Sequence, residues 1–124
     1  MARLDMSHAV NTGSMIPLRT QEEFEQLYKE EKLKAPILIY FTATWCGACT
    51  KLSWPFIQEE FPELTIYKCD IDENKYTPGF CQVKSIPHML IMFPSKKIEN
   101  LVSNDTAKVA AWIKKQLTLE QADK

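Results

Sequence analysis

Residues 36–51 constrain this chain more than any other stretch. Ile37 to Phe41 form a continuous apolar run, the pattern of a strand buried on both faces. A short turn of small residues follows and ends at Trp45-Cys46-Gly47-Ala48-Cys49. Beyond Cys49 the pattern reads as a helix, with Leu52, Phe56 and residues 57–61 supplying apolar side chains. A buried strand thus delivers a Cys-x-x-Cys to the start of a helix.

That placement suits thiol chemistry. The thiolate is the nucleophile toward a disulfide, and a free cysteine with pKa near 8.5 is only about 3% ionised at neutral pH. A helix start offers unpaired N–H groups and the positive end of a dipole to Cys46. Cys49, three residues on, shares its helix face and can resolve a mixed disulfide formed by Cys46. A purely structural bridge is disfavoured, because closing so short a loop stabilises by only about 2 kcal/mol, against about 4 for a loop such as 46–81. A zinc site needs four ligands. The remaining cysteines, Cys69 and Cys81, and the histidines, His8 and His88, offer no second close pair, so no metal is expected.

The 124 residues suit one domain with a single core. Net charge is −1, which excludes nucleic acid and anionic membrane surfaces as charge-driven partners. Four cysteines are too few for a disulfide scaffold, no signal-peptide h-region opens the chain, and no run is long enough for a membrane span. The expected setting is a reducing, cytoplasmic one.

Residues 1–14 read as a flexible tail, 15–119 as the domain, and 120–124 as a frayed end. Pro17 marks residues 16–18 as an edge strand. Thr20 and Glu23 form a capping box for a helix whose Phe24, Leu27 and Tyr28 face the core. The helix after Cys49 is expected to be kinked by an internal Pro55. Further strands are expected at 65–70, 88–93 and 98–102, with an irregular helical piece at 74–82 interrupted by Pro78-Gly79. A last helix, capped by Asn104 or Asp105, places Val109, Trp112, Ile113 and Leu117 on one face. The order is βαβαβαββα, an α/β architecture with a central mixed sheet flanked by helices.

Phe41 to Cys49 resembles the active-site segment of thioredoxins, whose common form ends Trp-Cys-Gly-Pro-Cys. Lys68-Cys69-Asp70-Ile71-Asp72 resembles their third strand, and Ser85-Ile86-Pro87 their Ile-Pro segment. The likeness runs in order over residues 16–117 and implies the thioredoxin fold, with a cis peptide before Pro87. By this resemblance Trp45, Ile86 and Pro87 line the partner-binding surface, His88 lies beside the site, and Gly47 and Ala48 complete the redox turn. Cys81 resembles an extra cysteine of animal thioredoxins, a regulatory candidate; read alone it is a half-buried packing residue.

Two departures from the family pattern bear on mechanism. Tyr40 stands where thioredoxins have a buried aspartate that accepts the proton of the resolving cysteine; similar segments occur in tryparedoxins and nucleoredoxins. A phenol is a poor base at neutral pH, so resolution is expected to be slower. Lys68, which partners that aspartate in the family, is expected to lie nearer solvent or to pair with the Tyr40 oxygen. Ala48 replaces proline and is expected to make the couple more oxidising.

The resemblance implies a protein-disulfide reductase of cell redox homeostasis and electron transport. Cys46 and Cys49 would cycle without a bound cofactor, fed by a reductase or glutathione, in a monomer. An oxidase or isomerase, and a non-catalytic binding module of the same fold, are the alternatives.

Overall fold

The computed structural model describes residues 15–29 and 33–122; the expectation for residues 1–14 lies outside them. The element order is β1 (Ile16–Pro17), α1 (Gln21–Lys29), β2 (Ile37–Thr42), a 3₁₀ turn (Ala48–Lys51), α2 (Trp54–Glu60), β3 (Thr65–Asp70), α3 (Tyr76–Phe80), β4 (His88–Met92), β5 (Ile98–Val102) and α4 (Thr106–Ala122). The five strands form one sheet in the order β1-β3-β2-β4-β5. β1 and β2 run parallel to β3, β4 is antiparallel to β2, and β5 is antiparallel to β4. This is the thioredoxin fold.

All six residues of β2 are buried, as its unbroken apolar run requires. Side chains alternate across a strand. Leu38 and Tyr40 therefore enter one core with Ile57, Met89, Ile91, Val109 and Ile113. Ile37, Ile39 and Phe41 enter the other with Phe24, Cys69, Leu90 and Met92.

The helix starts follow local chemistry. Thr20 Oγ1 accepts from the Glu23 amide at 3.1 Å, as the capping box predicts. Glu23 reaches back one residue further than expected, its Oε1 accepting from the Arg19 amide at 2.6 Å. Asp105 is the cap of α4: its Oδ1 accepts from the amides of Ala107 (3.0 Å) and Lys108 (3.2 Å). α4 runs on to Ala122, into the segment expected to fray.

Two sequence expectations are corrected. No continuous kinked helix follows Cys49. The 3₁₀ turn ends at Lys51, Leu52 is extended, and α2 starts afresh at Trp54 with Pro55 in its first turn. A proline has no amide to offer the helical ladder and clashes with the turn before it, but in a first turn neither matters. Phe56 is exposed there, whereas Trp54 is buried. Pro78 and Gly79 do not interrupt α3; they lie within it, Pro78 in the first turn. Gln82 then adopts a left-handed conformation (φ 60°), and the Val83 amide donates to Pro78 O at 2.9 Å to close the helix.

The turn 94–97 lacks the glycine common in thioredoxins, and Lys96 takes up the left-handed conformation instead (φ 77°). Its ammonium hydrogen-bonds to Tyr28 O and lies 5.1 Å from the centre of the Tyr28 ring, tying the turn to α1.

Buried Asn74 links three segments. Its Nδ2 donates to Leu18 O (3.2 Å), Thr20 O (3.4 Å) and Thr77 Oγ1 (2.9 Å), and its Oδ1 accepts from the Thr77 amide (3.1 Å). Asn74→Ala is expected to lower the unfolding free energy by about 2–3 kcal/mol, because it strands buried carbonyls and an amide. Urea denaturation checks this, and a loss below about 0.5 kcal/mol would contradict it.

Candidate active site

β2 stops at Thr42, whose carbonyl accepts from the Ile71 amide at 2.9 Å, fixing the end of β3 beside it. The chain then turns, with the Cys46 amide donating to Ala43 O at 3.1 Å. Cys46 and Cys49 form a disulfide with their Cα atoms 5.3 Å apart, and both are buried. The Cys49 amide donates to Cys46 Sγ at 3.1 Å and to Cys46 O at 3.2 Å.

That amide is the hydrogen-bond donor the structure places at Cys46 Sγ. The expected long helix dipole is cut to a four-residue 3₁₀ turn, so aligned peptide units contribute little beyond it. The amide freed where the helix breaks, Ser53 N, is taken up by Thr106 Oγ1 at 2.9 Å. The redox turn is thereby tied to the start of α4.

Around this turn the sequence candidates fall into place unevenly. Trp45 is 65% exposed, more than a packing residue would be. Its Nε1 donates to Asp72 Oδ2 at 2.7 Å. Asp72 was legible only as the end of Lys-Cys-Asp-Ile-Asp, with no sign of this role. The Ile86–Pro87 peptide is cis, and Ile86 packs against the cluster that holds both cysteines. A cleft of about 490 Å³ lies alongside, with Trp45, Ile71, Val83 and Ile86 as apolar wall and Lys75 and Lys84 among its other lining residues.

His88 is buried, as a strand-end histidine would be. One ring nitrogen, Nε2, lies 2.8 Å from Asn100 Oδ1, its ring meets Phe41 edge-on at 5.5 Å, and Nδ1 has no hydrogen-bond partner. It makes no hydrogen bond to either cysteine sulfur.

Tyr40 is buried, and its ring packs on Trp54 with centroids 4.5 Å apart. Burial pushes the phenol pKa up, with the side chains of Thr42 and Trp54 opposing that shift. The phenol is thus an even poorer base than in water. Trp54 Nε1 is buried and closes no hydrogen bond of normal geometry, its electrostatic effect on the phenol notwithstanding. Half-buried Lys68 lies opposite Tyr40 in the β2–β3 register. No hydrogen bond or ion pair joins the Lys68 ammonium to the Tyr40 oxygen among the described residues.

The chain matches the Thioredoxin family over residues 15–115. It belongs to the thioredoxin family. It is 34% identical to thioredoxin H-type from Ricinus communis over 98 residues, which are 76% of this chain and 82% of that protein. It is 30% identical to mitochondrial thioredoxin O1 from Arabidopsis thaliana over 109 residues, 83% of this chain and 56% of that protein. The solved structure of Fasciola hepatica thioredoxin superposes with a TM-score of 0.71 at 25% identity, covering 82% of this chain and 98% of that one. Family membership and the Cys46–Cys49 disulfide together support a protein thiol–disulfide oxidoreductase. Among the described residues no group of three or more His, Cys, Asp or Glu is placed to hold a metal ion, and no helix is long and apolar enough to cross a membrane.

The other two cysteines, Cys69 and Cys81, are free. Burial pushes the Cys69 thiol up to about 12 and the Cys81 thiol up to about 11. At neutral pH both are protonated and poor nucleophiles, which favours packing over reactivity at Cys81.

Two predictions follow from these surroundings. Gly47 has ordinary helical dihedrals (φ −64°, ψ −37°), and a Cβ built there meets nothing within 4 Å. Gly47→Ala is therefore expected to stabilise the fold by about 0.4–1 kcal/mol in chemical denaturation, so any need for glycine arises from the docked partner. The thiols of Cys69 and Cys81 ionise near 9 when unfolded and near 12 and 11 when folded. Their stabilisation is complete below about pH 9 and is lost as pH rises, at up to about 1.4 kcal/mol per pH unit for each group. Unfolding free energy measured from pH 8 to 11 should fall in this way, with a shallower fall in Cys69→Ala.

Proposed function

We propose that this protein works in the reductive direction, transferring two electrons from the Cys46/Cys49 dithiol to disulfides of partner proteins. The observation that carries the direction is the modest support given to a Cys46 thiolate. One backbone amide reaches its sulfur, the helix behind it is a single 3₁₀ turn, and His88 is engaged with Asn100. A couple is oxidising when its thiolate form is strongly stabilised, and reducing when it is not. This outweighs the oxidising shift expected from Ala48.

In the reaction the Cys46 thiolate attacks one sulfur of the target disulfide. The new Cys46–target bond forms as the target S–S bond breaks, and the departing target thiolate takes a proton from water. Cys49, deprotonated, then attacks Cys46 Sγ. The Cys46–Cys49 bond forms, the second target sulfur leaves, and the target is reduced by the pair of electrons that the dithiol gives up. The amide of Cys49 at Cys46 Sγ would favour negative charge there, which supports Cys46 as the attacking sulfur.

Tyr40 replaces a carboxylate behind the site, so the proton of Cys49 passes to water. Trp45, Ile86 and Pro87 hold the extended target segment. Regeneration needs an external thiol reductant, a reductase or glutathione. A reducing compartment, the cytoplasm, is the setting in which Cys69 and Cys81 stay thiols, and the protein acts there as a monomer.

Cys49→Ser should accumulate a mixed disulfide with a model protein disulfide, seen as a covalent mass adduct that dithiothreitol removes. Cys46→Ser should form no such adduct. A redox titration in glutathione buffer should give a potential near the −270 mV typical of thioredoxin, with about −180 mV or above supporting an oxidase or isomerase. Absence of both the adduct and a reversible transition would leave a binding module.

A further inference from the structure

The cleft beside Trp45 carries a charge pattern that the redox chemistry does not use. Its wall is apolar, from Trp45, Ile71, Val83 and Ile86. Two lysines, Lys75 before α3 and Lys84 after it, are among the lining residues of the same cleft, and both are exposed. Neither forms an ion pair among the described residues. Asp72, at the edge of the cleft, accepts from the Trp45 indole at 2.7 Å, and Glu73 lies 3.5 Å from Arg19. The lining of the cleft itself holds two lysines and no carboxylate.

We infer that this cleft selects target disulfides whose cysteine is flanked by acidic and apolar residues in an extended segment. The inference rests on the reductase reading above and specifies its substrate class. Trp45 is the residue next to Cys46 and a wall of the cleft, so a segment lying along Ile71 and Val83 reaches the disulfide directly. Acidic side chains on that segment meet Lys75 and Lys84, while apolar ones contact the wall. Because both ammonium groups are exposed, the contribution is to encounter and register more than to tight binding. It therefore weakens with salt.

The test is single-turnover reduction by the pre-reduced protein. Three synthetic peptides carry the same disulfide, flanked by Asp and Leu, by Lys and Leu, or by Ser and Leu. At low ionic strength the acidic peptide should be reduced about tenfold faster than the basic one, with the neutral peptide between them. The ratio should fall to about two in 0.5 M salt, where the Debye length is only about 4 Å. Lys75→Glu with Lys84→Glu should invert the order, and the single variants Lys75→Gln and Lys84→Gln should each shrink the ratio should the double variant fold poorly. Equal rates for acidic and basic peptides, with all three reduced, would overturn the inference and leave the reductase reading standing. A preference that survives the lysine substitutions would also overturn it. Failure to reduce any of the three would remove the reductase reading and this inference with it.

Discussion

The structure depends on the complete burial of β2. A strand flanked on both sides by hydrogen-bonded neighbours, and covered on both faces, leaves none of its residues in water. Each side chain must then find an apolar or hydrogen-bonded place in one of two cores. Full burial of a large aliphatic or aromatic side chain contributes about 1.5–3 kcal/mol, so the strand's register is strongly specified. The redox turn inherits its position from that register. It begins where β2 ends, and Ala43, Cys46 and Cys49 pack in the same core as Leu38 and Tyr40.

Electrostatics at the site is correspondingly spare. The interior behind the cysteines holds a phenol and an indole, Tyr40 and Trp54, packed with their rings tilted by 44°, where the family pattern has a carboxylate. An aromatic pair keeps the interior dry and neutral, and it leaves proton transfer to groups nearer the surface. The chain compensates for irregular backbone in a similar local fashion. The amide exposed by the break before α2 is met by Thr106, and the left-handed Lys96 is held by its own side chain against Tyr28.

Much of this was legible in the sequence. The β2 run, the capping box at Thr20 and the Asp105 cap are local signals, and local signals survive folding. The Cys-x-x-Cys turn was readable from its place between an apolar run and a helical pattern, and the Ile86-Pro87 segment only by family resemblance. What sequence periodicity could not supply was the outcome of competition between helix continuation and Pro55. The chain resolved it by ending one helical turn and starting another, which buried Trp54 and exposed Phe56. Contacts between distant residues were also hidden. The Trp45–Asp72 bond spans 27 residues, and no pattern in either segment announces it. Pro78 misled for a different reason: a turn-forming residue is equally at home in the first turn of a helix.

The hydrogen bond from Ser53 to Thr106 has a consequence for biosynthesis. Its partners are 53 residues apart, and β4, which covers β2 on one edge, also lies downstream of the cysteines. As the chain leaves the ribosome, both active-site thiols emerge well before the segments that enclose them. During that interval they are ordinary cysteines on an unfinished sheet, open to any oxidant or passing thiol. The redox turn becomes a selective instrument only when the last helix arrives and docks.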